Sequence, residues 1–342
     1  MKRYMAPVIC CALLLAGWSA TKANAQAANA QTHVAAAKAA AYEPGQDFTN
    51  IYEICAEPRP SPAAAPAATP PAPRRIPPRS QWYTEPSKVF DNLYYVGGSE
   101  GDNNTVWAVT TSEGIILIDA GYDYSVEELV VNGLKKLGLD PAQIKYVLLT
   151  VAKPQTFGGA KLLQERYHAR VLLSEADWDV IARSNQPAEI KPKKDMVVTD
   201  GQKLTLGDGT VTLYVTPGNS PGTVSMLISP LKDGNQRHVG SHFGGRAVFY
   251  QGDGVQYFPS EIEAIRTWGA QAKRYKDIAE KAGADVFLST RVSIDKTLDK
   301  LNALKFRKPG GPHPLVSKSA VGRAQTIIHE CMEAQLAWRS NK

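Results

Sequence analysis

Several things are scarce or missing in these 342 residues, and each absence narrows what the chain can be. No stretch beyond the first two dozen residues approaches the about 20 apolar residues a membrane helix needs, and mean hydropathy is slightly negative, so no membrane span is expected. No clustered basic stripe with interleaved aromatics is present, and the formal charge of +6 falls to +3 once Lys2, Arg3 and Lys22 are discounted with the leader described below. That balance is too mild to argue for a nucleic-acid partner. There is no G-x-S-x-G, and no short internal repeat. Of four cysteines, Cys10 and Cys11 lie in the leader, leaving Cys55 and Cys331.

The N-terminus has the layout of a secretory signal: Lys2 and Arg3, an apolar run from Ala6 to Trp18, then Ala23-Asn24-Ala25 as a small-x-small cleavage site. The expected mature chain begins near Gln26 and is periplasmic or secreted. An oxidising compartment permits a Cys55–Cys331 disulfide, which would pin an N-terminal extension to the last helix; two separate thiols fit the sequence equally well. Residues 26–80 read as that extension, outside any core: Ala-rich to Ala41, then nine prolines between Pro58 and Pro78. Such composition favours extended backbone and reads as a disordered tether or wrapping arm. A protein partner for this arm is an open alternative.

From residue 81 to 342 the chain reads as one domain. Alternation predicts strands at 89–96 and 106–111, and apolar runs predict strands at 115–118 and 146–150. Helical spacing covers 125–137 (Val126, Leu129, Val130, Leu134, Leu137), and Asp140-Pro141 looks like a helix cap with Gln143 at the capping-box position. A loop ending in Gly158-Gly159 leads to a helix reaching about His168. Further strands are expected at 170–173, 196–199, 203–206, 210–216, 223–229 and 285–289, with helices at 174–183, 259–282, 297–306 and 319–338. The class is α/β, with strands flanked by helices in both halves.

Four pieces recur in one order: Ile115-Ile-Leu-Ile-Asp119-Ala-Gly121, the strand and loop before Gly158-Gly159, Thr216-Pro-Gly218 with Pro221-Gly222, and Arg307-Lys-Pro-Gly310 with Pro312-His-Pro314. Together they resemble the metallo-β-lactamase-fold superfamily, and the last piece is similar to the third, periplasmic subclass of metallo-β-lactamases. The resemblance implies a four-layer αβ/βα sandwich with its cleft at the loop ends between two sheets. It also implies a zinc loop, H-x-H-x-D-H, in which alternate side chains face two metal ions that make a bound water acidic enough to attack.

Here that loop reads Val151-Ala-Lys153-Pro-Gln155-Thr156. The family's Thr-Pro-Gly-His has become Thr216-Pro-Gly-Asn219, and its last histidine corresponds to Arg291. Every ligand position is changed. Val151 has no donor, Lys153 and Arg291 are cations, and Gln155, Thr156 and Asn219 are weak neutral donors, so neither metal nor any other cofactor is expected. A displaced site using His238 and His242, four apart, is the remaining metal alternative. Asp119, Gly121, Gly158, Gly159 and Gly218 then serve the fold rather than catalysis. Lys153, Gln155, Thr156, Asn219 and Arg291 are the candidate ligand-binding set, two cations where two metal ions would sit. They form either a pocket for a small carboxylate or phosphate or the product of drift. No Asp or Glu in the motif loops offers a countercharge. The function expected is a non-hydrolytic ligand-binding or accessory pseudoenzyme, without zinc-dependent β-lactamase activity. The alternatives are a metal-independent hydrolase- or lyase-like enzyme acting on a small carboxylate- or phosphate-bearing substrate, and a structural protein.

Overall fold

Strand side chains alternate faces, and in this chain both faces are apolar. Trp107, Val109, Ile116 and Ile118 point one way, and Ala108, Ile115 and Leu117 the other; all seven are buried. A sheet built so must be covered twice. The computed structural model, which describes residues 28–58, 76–101, 104–245 and 257–339, shows both covers. The expected signal segment and residues 59–75 of the extension lie outside the described residues.

After helix α1 (28–41) come a small hairpin, β1 (Tyr42–Glu43) and β2 (Gln46–Asp47), and the short helices α2 (Thr49–Tyr52) and α3 (Arg79–Trp82). A seven-stranded sheet follows: β3 (Ser87–Phe90), β4 (Leu93–Tyr95), β5 (Trp107–Thr111), β6 (Gly114–Ile118), β7 (Ile144–Leu148), β8 (Arg170–Ser174) and β9 (Met196–Val198), in sequential order. The first four strands pair antiparallel and the last three join in parallel. Between them run α4 (Asn132–Lys136), α5 (Pro154–Phe157), α6 (Ala160–Tyr167) and α7 (Glu175–Arg183). The second sheet holds β10 (Lys203–Leu206), β11 (Gly209–Val215), β12 (Val224–Asp233), β13 (Gln236–His242) and β14 (Val286–Leu288). The helices α8 (Glu261–Lys281), α9 (Thr297–Leu304) and α10 (Ala320–Arg339) complete the chain.

Three apolar layers hold this together. Phe90, Trp107 and Ile118 meet Val211, Met226 and Leu288 between the sheets. Leu117, Val147 and Val171 meet Leu134, Phe157 and Leu163 on the outer side of the first sheet. Phe243 and Phe287 meet Trp268, Tyr275 and Ile328 behind the second. The result is the four-layer αβ/βα sandwich, and it places the ends of β6, β7, β11 and β14 at one rim.

Some elements differ from the sequence reading. The run 89–96 is a hairpin, broken at Asp91-Asn92. Asp140 does cap, its Oδ1 accepting from the Ala142 amide at 2.9 Å, but the turn it starts is only the three residues Pro141–Gln143. β12 runs on to Asp233 through a bulge, and β13 was not expected at all. The largest correction concerns the extension. Ala37, Phe48, Ile51, Ile54 and Cys55 are buried in the layer behind the second sheet, although the composition had placed them outside any core. Cys55 and Cys331 are joined in a disulfide, and His33 Nδ1 meets Glu330 Oε2 at 2.7 Å. No described helix is long and apolar enough to cross a membrane.

Candidate functional site

Asp119 ends β6 in a left-handed conformation, φ 60°, which turns its carboxylate back toward the end of β7. There the Thr150 amide donates to Oδ1 at 2.8 Å and the Thr150 hydroxyl reaches both oxygens, at 3.0 and 2.9 Å. Asp119 is 2% exposed, and burial pushes its carboxyl up to about 7, against the hydrogen bonds from Thr150 and the positive charge of Arg291. It is a brace, holding the start of the 150–156 loop through Thr150. Gly121 follows at φ 69°, a conformation a side chain would strain. Any Cβ on Gly158 or Gly159 would run into the backbone of this turn or of Pro154.

A second carboxylate, not singled out from sequence, does the equivalent work across the rim. Asp177, in the first turn of α7, is fully buried. Its Oδ2 accepts from the Ala152 amide at 2.8 Å and the Ser220 hydroxyl at 2.6 Å, and its Oδ1 from the Gly222 amide at 2.8 Å. One side chain thus ties the 150–156 loop to the 216–222 loop. Burial raises its carboxyl to about 6, opposed by these bonds and by the charge of Lys153. The pattern Ser174-x-x-Asp177 was visible in the sequence, but it announces a helix N-terminus, and Ser174 does cap α7.

Five of the six changed positions come together. Val151, Gln155, Thr156, Asn219 and Arg291 line one cavity of about 10 Å³, the space of about one water. Lys153 is not among its lining residues; it stands at the N-terminus of α5. The Thr156 hydroxyl is spent on the backbone, against the carbonyls of Lys153, at 2.8 Å, and of Val151. Asn104 donates to the Gln155 carbonyl, and Thr290 to the Gly245 carbonyl at 3.2 Å. The motif loops carry no acid of their own, but the cations do not lack countercharge. The acidic groups come from outside those loops, with Asp119 feeling Arg291 and Asp177 feeling Lys153.

This donor set does not fit zinc. It offers two cations, an alkyl group and neutral oxygens, of which the Thr156 hydroxyl is already engaged with the backbone, and among the described residues no three His, Cys, Asp or Glu lie together as a metal would need. The alternative pair of histidines fails on geometry. His238 and His242 are four apart on a strand, where the rise separates them by about 13 Å. His238 meets Asp285 at 2.6 Å, while His242 is fully buried with neither ring nitrogen hydrogen-bonded to a described residue.

Residues 99–229 match the family model described as the metallo-β-lactamase superfamily. Among solved structures, the chain is similar to a subclass B3 metallo-β-lactamase of Bradyrhizobium japonicum: 25% identity, TM-score 0.63, covering 76% of this chain and 97% of that one. It is also similar to a metallo-β-lactamase of Cronobacter sakazakii described by its HARLDQ motif, at 25% identity and TM-score 0.63 over 81% of this chain and 100% of the other. An enzyme from Elizabethkingia meningoseptica shares the fold at 23% identity and TM-score 0.58, over 76% of this chain and 94% of that one.

Proposed function

For a chain that belongs to the metallo-β-lactamase superfamily, we propose a metal-free, non-hydrolytic role: an exported accessory or ligand-binding protein built on an enzyme's frame. One observation carries this reading. Five of the six positions that would hold metal line a space of about one water, with Arg291 in its wall and Lys153 outside it supplying positive charge to two buried carboxylates. The cations stand in for the metal electrostatically and cannot polarise a water as a metal does. The Cronobacter relative's printed motif, HARLDQ, also has a cation in its third place, where this chain has Lys153, but keeps the aspartate that Gln155 replaces here. Export is supported by the leader's layout and by the Cys55–Cys331 bond, which suits an oxidising compartment.

The test is direct. Mature protein dialysed against micromolar zinc is expected to hold no stoichiometric metal and to leave a chromogenic cephalosporin intact. One tightly held zinc per chain, or turnover that survives repeated purification and responds to Arg291→Ala, would overturn the proposal. The anion reading of the same cleft has one support, the presence of Arg291 in the cavity wall. If it holds, Arg291→Ala weakens acetate or phosphate binding by about 1.5–3 kcal/mol, the range for hydrogen bonds to charged groups, and Lys153→Ala, outside the cavity wall, weakens it less. Equal binding by both variants and the wild type leaves the cluster a purely structural plug.

A further inference from the structure

On α10, two glutamines ten residues apart are treated differently by the arm that crosses them. Gln335 donates its amide to the carbonyls of Ile54 and Ala56, at 2.9 and 2.7 Å. Gln325 is fully buried, and among the described residues neither its Nε2 nor its Oε1 has a hydrogen-bond partner. A leucine would fill such a place without leaving polar groups unmatched, so the glutamine is an expensive choice for packing alone. It borders a cavity of about 30 Å³ walled by Ile51 and Ile54 of the arm, Phe243 after β13, Phe287 of β14 and Ile328 of α10.

We propose that this cavity is a binding site for a small, mainly apolar molecule bearing one amide, recognised by Gln325. A carboxamide presents a donor and an acceptor side by side, and its complement is an acceptor beside a donor, the arrangement in another amide. The surrounding isoleucines and phenylalanines select an apolar body. Ordered water is a poorer match, because a buried water needs two to four polar partners. The nearest polar side chains are already engaged, Asn50 with the Ser293 carbonyl and Thr290 with the Gly245 carbonyl. In the closed form the cavity has room for the amide head. The body enters by outward movement of the turn bearing Ile51 and Ile54, which the neighbouring Cys55–Cys331 bond keeps attached. This site lies behind the second sheet, sharing only Gly245 and Thr290 with the cavity at the changed metal positions. It therefore stands whatever the zinc assay gives.

The experiment uses the mature, disulfide-bonded protein with benzamide as probe and toluene, which has the ring but no amide, as comparison, titrated by calorimetry and ligand-observed NMR. Saturable benzamide binding is expected, at least about tenfold tighter than toluene, and weakened about tenfold or more in Gln325→Leu. Without ligand, that variant is expected to melt at a higher temperature. Ile328→Phe, which fills the cavity and keeps the glutamine, is expected to block the probe even if Gln325→Leu fails to fold. No saturable binding, equal binding by either variant, or a crystal structure grown with benzamide that shows only water on Gln325 would overturn the proposal.

Discussion

Replacing Asp119 by asparagine isolates the electrostatics of the rim from its geometry. Asparagine tolerates the left-handed backbone at this position as well as aspartate does. Its carbonyl oxygen can keep the bond from the Thr150 amide, and its NH2 can donate to the Thr150 hydroxyl. What changes is the proton. The folded protein holds the Asp119 carboxyl at about 7, against about 3.9 in an unfolded chain. Between those values the folded state keeps a proton that the unfolded state has lost. The associated stability is therefore fully present below the unfolded pKa and is lost as pH rises through the folded one. Integrated from pH 5 to pH 8, this one group costs the wild type about 2–3 kcal/mol. Asp177 and His242 titrate in both proteins and cancel in the comparison. Urea unfolding at pH 5, 6, 7 and 8 at constant ionic strength gives the two curves. The variant should gain on the wild type by about 2–3 kcal/mol across that range. Parallel curves would show that Asp119 is ionised throughout, with Arg291 compensating it fully, and would refute the reasoning.

Gly218→Ala should destabilise by about 3 kcal/mol or more, because its Cβ would lie 1.7 Å from a ring carbon of the buried Trp268; an unchanged melting temperature contradicts that packing. Lys300 and Asp295 form a buried pair at 2.8 Å, 7% and 2% exposed. Lys300→Ala strands the carboxylate and should cost about 3–5 kcal/mol, with part recovered by adding Asp295→Ala; equal stability of the single and double variants would argue against it. His242 is held near 3 by burial. The wild type should therefore lose stability as pH falls from the ordinary histidine value toward 3, by about 1.4 kcal/mol per pH unit from this residue. His242→Leu should remove that part of the slope, measured by the same urea titration.

Strands with apolar residues on both faces, such as Ile115 to Ile118, were legible from sequence because burial on two sides leaves an uninterrupted run. β13 was not, since Gln236-Arg-His-Val-Gly-Ser-His242 puts two histidines and a glycine on the face turned toward the other sheet. α1 escaped for the opposite reason. Ala30, Ala37 and Ala41 carry too little apolar surface to announce a core, yet their smallness lets the helix lie closely on its neighbour, and they are buried. At the site, the lost ligands were readable position by position. The convergence of Asn219 and Arg291 with the 150–156 loop followed only from the family resemblance. Asp177 could not be connected to Lys153 or Ser220, because its role depends on two loops meeting in space from 25 and 43 residues away.

The bond between Cys55 and Cys331 closes most of the polypeptide into a covalent ring, the closing residues lying 276 positions apart. A peptide bond cut anywhere inside that ring, including within the proline-rich stretch that follows Cys55, opens the ring without releasing a fragment. Protein nicked there would migrate as one species until a reductant is added, and only then as two. The arm would stay seated on α10 through Phe48, Ile51 and Ile54. An unreduced gel alone would therefore report a clipped molecule as intact.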